Sequence, residues 1–172
     1  MSDVATAILD AAERHIRVGG FSGVSHRILA EEVGVKSSSV HYHFPTKDRL
    51  AAAVINRYRE NVSDHIDQLF AKESDPVKVM AEAFRTPVVM EERLCPCITL
   101  GAELNDLPPE TQGEVKGYYQ MWIDRLVAKG LPETDARSFL STLLGAQLLA
   151  SVFRDVSMYD VVADKLVRDH AA

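Results

Sequence analysis

The feature that most narrows what this chain can fold into is a stripe: Leu50, Val54, Tyr58, Val62, Ile66 and Leu69 recur at intervals of four and three residues. Those intervals keep all six on one side of an α-helix of about 3.6 residues per turn, and the run is too long for an ordinary strand of ~5–6 residues. The same period continues along the chain, and no segment alternates long enough to read as a strand. The expected fold is therefore all-α, with about nine helices.

Glycine, proline and capping residues divide the chain. Helix one is expected over 3–18, with Val4, Ile8, Ala11, Ala12 and His15 on one side, stopping at Gly19-Gly20, because glycine accepts the left-handed conformation common at helix ends. Phe21 and Val24 read as plugs folding back on it. Ser25 is placed to cap a second helix, "HRILAEEV", whose Ile28, Leu29 and Val33 face inward and which Gly34 ends,. Ser37 or Ser38 is expected to cap a third short helix reaching Phe44, and Thr46 the long helix with the stripe. Composition breaks at "AKESDP"; further helices are expected over 76–92, to about 107, and over 110–129, 133–154 and 158–170.

The stretch "VGVKSSSVHYHFPTKDRL", 33–50, holds the densest chemistry. It is not a metal site, because His41 and His43 lie about 200° apart around a helix. Nor does it hold a glycine-flanked nucleophile elbow or an S-x-x-K, as an activated serine would need. What remains is two short helices joined by a glycine turn, with Ala30 where they nearly touch and Val35 and Val40 facing the core: a helix-turn-helix. The second helix exposes Lys36, Ser37, Ser38, Ser39, His41 and Tyr42, side chains short enough to let a helix sit in the major groove.

Charge supports the same reading once it is divided. The net charge of -6 argues against nucleic acid as a whole, but residues 1–60 carry eight Lys and Arg against seven Asp and Glu, so the acidity belongs to 61–172. Hydrophobic content of 47% and charged content of 26% describe an ordinary globular chain rather than a disordered one,. The longest apolar runs fall short of the roughly 20 residues that span a bilayer, so a cytoplasmic location and no membrane partner are expected.

The run "GGFSGVSHRILAEEVGVKSSSVHYHFPTKDRL" resembles the N-terminal domain of TetR-family transcriptional regulators, over about 8–58. The resemblance implies a DNA-binding domain at 1–47 and an effector-binding and dimerisation bundle at 48–172. It implies that Ser25 and Lys47 bind backbone phosphates and that Tyr42, His43 and Phe44 form the aromatic-H-F end of the recognition helix. His26 and His43 complete the expected DNA-facing set. His41 departs from the family, where a tyrosine that contacts phosphate is usual. The segment "CPCITLGAELNDLP" resembles one branch with C-x-C-x-x-L-x-A-E, some of whose members sense electrophiles or oxidants through a cysteine there.

In the second half, Cys95 and Cys97 are the only cysteines. They lack the further ligands a closed zinc site needs, so no metal and no cofactor is expected, and burial as small apolar side chains competes with thiol sensing. Phe84, Met90, Cys95, Cys97, Leu100, Tyr118, Trp122 and Phe153 are the candidates to line an effector pocket, with Arg85, Arg93 and Glu103 as polar partners. The helix "ARSFLSTLLGAQLLASVFRD" is apolar on nearly every side, and a second subunit is the simplest cover. Phe139, Leu143, Leu144, Gln147 and Leu148, with Val161 and Leu166 of the last helix, are the expected homodimer interface. The function expected is a ligand-responsive repressor, not an enzyme, with a palindromic DNA operator and a small-molecule effector as partners. A thiol-dependent enzyme and a constitutive architectural DNA-binding protein are the alternatives.

Overall fold

The structure is a computed structural model that describes residues 3–90 and 94–170, the side chains of 87–90 excepted. The described residues form nine α-helices, one 3-10 turn and no strand: α1 (Asp3–Gly19), α2 (His26–Val33), α3 (Ser37–His43), α4 (Lys47–Phe70), α5 (Pro76–Met90), α6 (Pro96–Ala102), α7 (Pro109–Ala128), α8 (Glu133–Phe153) and α9 (Ser157–His170). Two compact units result, Met1–Arg59 with Cys95–Tyr118, and Glu60–Leu94 with Tyr119–Ala172.

The first unit is organised on α1. Its residues Ala5, Ile8, Leu9, Ala11, Ala12 and Ile16 are buried, a face of alternating large and small side chains that lets other helices approach closely. Against it lie α2, α3 and α6. The start of α4 adds Leu50, Ala51, Val54 and Ile55 to the same core. Charged groups tie α4 to α1: Arg57 meets Asp10 at 2.7 Å and Glu13 at 3.3 Å, and the Arg17 guanidinium stands 5.3 Å from the Tyr58 ring centre. Gly20 follows at φ 60, where a Cβ would fall 1.9 Å from Glu103 Oε1. The Phe21 amide donates to Glu103 Oε2 at 3.1 Å. Glu103 is thus a structural acceptor for the turn after α1 rather than a partner for a ligand.

In the second unit α5 lies against α8 and α9. Two buried side chains hold carbonyls of α5: the Tyr159 hydroxyl donates to Ala81 O at 2.6 Å, and Gln147 Nε2 donates to Phe84 O at 2.5 Å. Burial pushes the Tyr159 phenol well up, so it stays a donor,. Arg85, expected as a ligand partner, is held by Asp160 at 2.8 and 3.1 Å. Arg93 lies outside the described residues.

Several expectations need correction. The α3 helix is not capped by a serine: Lys36 occupies the N-cap with no side-chain bond, and Ser37 is already helical. Ile28 faces outward at 39% exposure, since the buried arc of an eight-residue helix is filled by Leu29 and Ala30. Leu143 and Gln147, assigned to a subunit interface, lie in the core of their own unit. Leu148, Leu149, Val152 and Phe153 of α8 are the exposed ones, with Val161 of α9. By length and composition α8 is apolar enough to cross a membrane, but in the structure it is packed against α5 and α9.

Because the Tyr159 hydroxyl is buried and has one acceptor, Tyr159→Phe is expected to lower unfolding free energy by about 1 kcal/mol. Urea titration checks this: the midpoint should fall while the denaturant slope stays unchanged.

Candidate nucleic-acid interface

Local chemistry builds the α2-turn-α3 segment one bond at a time. Ser25 is extended, and its Oγ accepts the Ile28 amide at 3.2 Å, which satisfies one of the free donors at the start of α2,. At the other end Gly34 sits at φ 75, and the Val35 amide returns to Ala30 O at 2.9 Å. This left-handed closure turns the chain sharply enough for α3 to start after only Val35 and Lys36. Val40 is fully buried and Phe44 nearly so, fixing α3 against the core of the unit.

With Val40 inward, the rest of α3 is directed away from the core. Lys36, Ser37, Ser38, His41 and Tyr42 are exposed, Tyr42 at 81%, while Ser39 and His43 are half-buried. Tyr42 and His43 meet edge to face at 5.1 Å. His26, the first residue of α2, stacks on His41 with centroids 4.1 Å apart and planes 5° from parallel. His26 Nε2 also reaches Phe44 O at 2.7 Å. Behind α2, Glu32 is engaged by Arg14 and His15, each at 2.7 Å, and the Arg14 hydrogen bond with that of His15 lowers its pKa. That carboxylate is therefore matched by cations of α1.

Thr46 Oγ1 accepts the Arg49 amide at 3.2 Å and caps α4, so the expected cap is present. Lys47 is half-buried, with Nζ 4.3 Å from the Phe21 ring centre. The aromatic face thus attracts the ammonium itself and seats it over the turn after α1,. The structure thus joins His26 to His41 and seats Lys47 on the turn after α1. Sequence reasoning did not find the histidine stack, because rings fifteen positions apart show no period.

The residues expected to line an effector pocket divide between the two units. Cys95, Cys97, Leu100 and Tyr118 are buried in the first, where Tyr118 packs on Tyr58 at 5.6 Å. Phe84 and Trp122 are buried in the second, 4.6 Å apart. Phe153 is 63% exposed at the end of α8 and lines no interior, and the Met90 side chain lies outside the described ones. Trp122 Nε1 and Gln147 Oε1 are buried without a hydrogen-bond partner, and both residues touch Phe84. Both thiols are free and buried. Burial raises each, but the Cys97 thiol donates to Cys95, and with the Ile98 amide and the charge of Arg17 this brings Cys95 below its ordinary value while Cys97 is pushed well up. No cluster of metal-ligating side chains occurs among the described residues.

A capped helix, a left-handed glycine turn and a second helix presenting a polar face define a helix-turn-helix protein of the nucleic-acid-binding class. Residues 8–54 match the family model described as bacterial regulatory proteins, tetR family. Among solved structures, a TetR-family regulator from Agrobacterium tumefaciens is 25% identical with a TM-score of 0.87, covering 96% of each chain. One from Legionella pneumophila is 22% identical at a TM-score of 0.86, covering 98% of each. The multidrug binding protein EbrR complexed with malachite green is 23% identical at 0.75, over 97% of this chain and 98% of that one. A comparison with curated proteins found no match. Residues 8–54 thus carry a tetR-family domain, and the chain as a whole has the fold of solved TetR-family regulators.

At φ 75, any residue with a Cβ strains the turn. Gly34→Ala is expected to cost roughly 1–2 kcal/mol, read as a lower thermal midpoint with helical content retained by circular dichroism.

Proposed function

We propose that this protein is a homodimeric repressor that holds a palindromic operator and releases it when a small molecule binds. The observation that carries the reading is the exposed polar face of α3, placed by a buried Val40 and presented after a glycine turn. On this reading 1–47 is the DNA-binding domain and 48–172 the effector-binding and dimerisation domain. Ser25, His26, Lys36, Ser37, Ser38, Ser39, His41, Tyr42, His43 and Lys47 contact the operator, the serines and Tyr42 at base edges and Lys47 at a phosphate.

Dimerisation is supported by the apolar side chains that α8 and α9 leave exposed, Leu148, Leu149, Val152, Phe153 and Val161, with half-buried Phe139, Leu144 and Leu166 also on these helices. An uncovered group of this kind marks an interaction surface. A two-fold axis there sets two recognition helices against two half-sites. The effector reading is supported by the unpaired Trp122 Nε1 and Gln147 Oε1 beside Phe84, a donor and an acceptor for a ligand of mixed polarity,. The likeness to EbrR, solved with malachite green, agrees with it. A thiol-reactive effector is a second reading, favoured by the hydrogen bond that lowers Cys95 and opposed by the burial of both sulfurs,. TetR-family regulators are cytoplasmic DNA-binding proteins and are not enzymes in general.

A gel-shift against the DNA flanking its own gene tests the reading. A defined palindrome there should be preferred over random duplex by at least about a thousandfold. Equal competition by specific and random DNA would show the reading to be wrong. Lys47→Ala should weaken binding about evenly across sequences and reduce the slope of log affinity against log salt by roughly one. A changed base preference at unchanged slope would mean that Lys47 reads sequence instead.

A further inference from the structure

The stacked rings of His26 and His41 have a polarity that neither residue shows alone. His26 Nε2 lies 2.7 Å from the Phe44 carbonyl. A carbonyl only accepts, so this nitrogen carries the proton, and in a neutral ring Nδ1 is a bare lone pair. His41 Nδ1 lies 3.5 Å from the Pro45 carbonyl, a longer contact of the same sense. The one hydrogen of a neutral His26 ring is thus held by the chain's own backbone. Phosphate oxygens also only accept, so neutral His26 has no N–H to offer a phosphodiester; a protonated ring has one, and it is charge-assisted.

From these contacts we infer that His26 and His41 form a single phosphodiester site that takes up a proton as DNA binds, so that duplex affinity rises as pH falls. This rests on the DNA-binding reading above. The charged residues flanking the pair along the chain are mostly cations. On α2 the pair is followed by Arg27 and Glu31; α3 brings Lys36 and His43; α4 begins with Lys47, Asp48 and Arg49. From α1, Arg14 and His15 are both engaged with Glu32. Neither ring has a carboxylate partner among the described residues. Parallel rings 4.1 Å apart share one charge but repel two, so the uptake is one proton for the pair. Histidine changes charge in the neutral range, which makes this linkage visible at ordinary pH.

The test is fluorescence anisotropy of the full chain on a labelled random-sequence duplex of about 30 base pairs, enough for two recognition heads. A phosphate contact needs no operator. At constant ionic strength, Kd should fall up to about tenfold for each pH unit between about 8 and 6. His41→Gln, alone and with His26→Gln, should reduce that dependence to less than about twofold per unit, while His170→Gln, at the far end of the chain, keeps it. His41 is exposed, so its single variant carries the test if the double variant loses its helical circular dichroism. Duplex binding that is flat with pH, or a slope that survives His41→Gln, overturns the inference and leaves the regulator reading standing. No duplex binding at any pH would overturn both.

Discussion

The first unit depends on the burial of one helix face. Ile8, Ala11, Ala12 and Ile16 of α1 leave a surface on which α2, α3 and α6 all rest. The alanines matter as much as the isoleucines, because they let backbones approach and so fix the angle of the short helices. Neither α2 nor α3 is long enough to be stable in isolation, helices under about 12 residues being marginal in water. Their shape as a helix-turn-helix is therefore borrowed from α1, and any displacement of α1 reaches the polar face of α3 directly.

Most of the architecture was legible from residue order because helices announce themselves locally. The period of the α4 stripe, the serine before α2, the left-handed Gly34 and the threonine before α4 are each decided within a few residues. What was not legible depends on distant partners. Ile28 looked inward because it is apolar, yet the narrow buried arc of α2 was already taken by Leu29 and Ala30. Gln147 looked like part of an outer seam, but its amide reaches the Phe84 carbonyl across the second unit. The Glu103 carboxylate reads as a polar partner for an effector until Gly20 and the Phe21 amide are placed beside it.

The candidate interface shows the same division. The exposed serines and Tyr42 follow from the period of a helix whose Val40 is buried. The seat of Lys47 on Phe21 and the stack of His26 on His41 do not, because each joins residues from different helices or turns. The thiols belong to this second kind. Their spacing gave only the pair, and the structure shows that Cys95 and Cys97 are both buried inside a unit that also contains α2 and α3.

The meeting of Gly20 with Glu103 makes one position answer to two unrelated constraints. Backbone at φ 60 disfavours a side chain there whatever surrounds it, and the Glu103 carboxylate occupies the space a Cβ would need. Shortening Glu103 would lift the second constraint and keep the first, while also leaving the Phe21 amide without its acceptor. Positions 20 and 103 are therefore not interchangeable partners in a compensating pair: a change at 103 opens room at 20 that only glycine can use without strain.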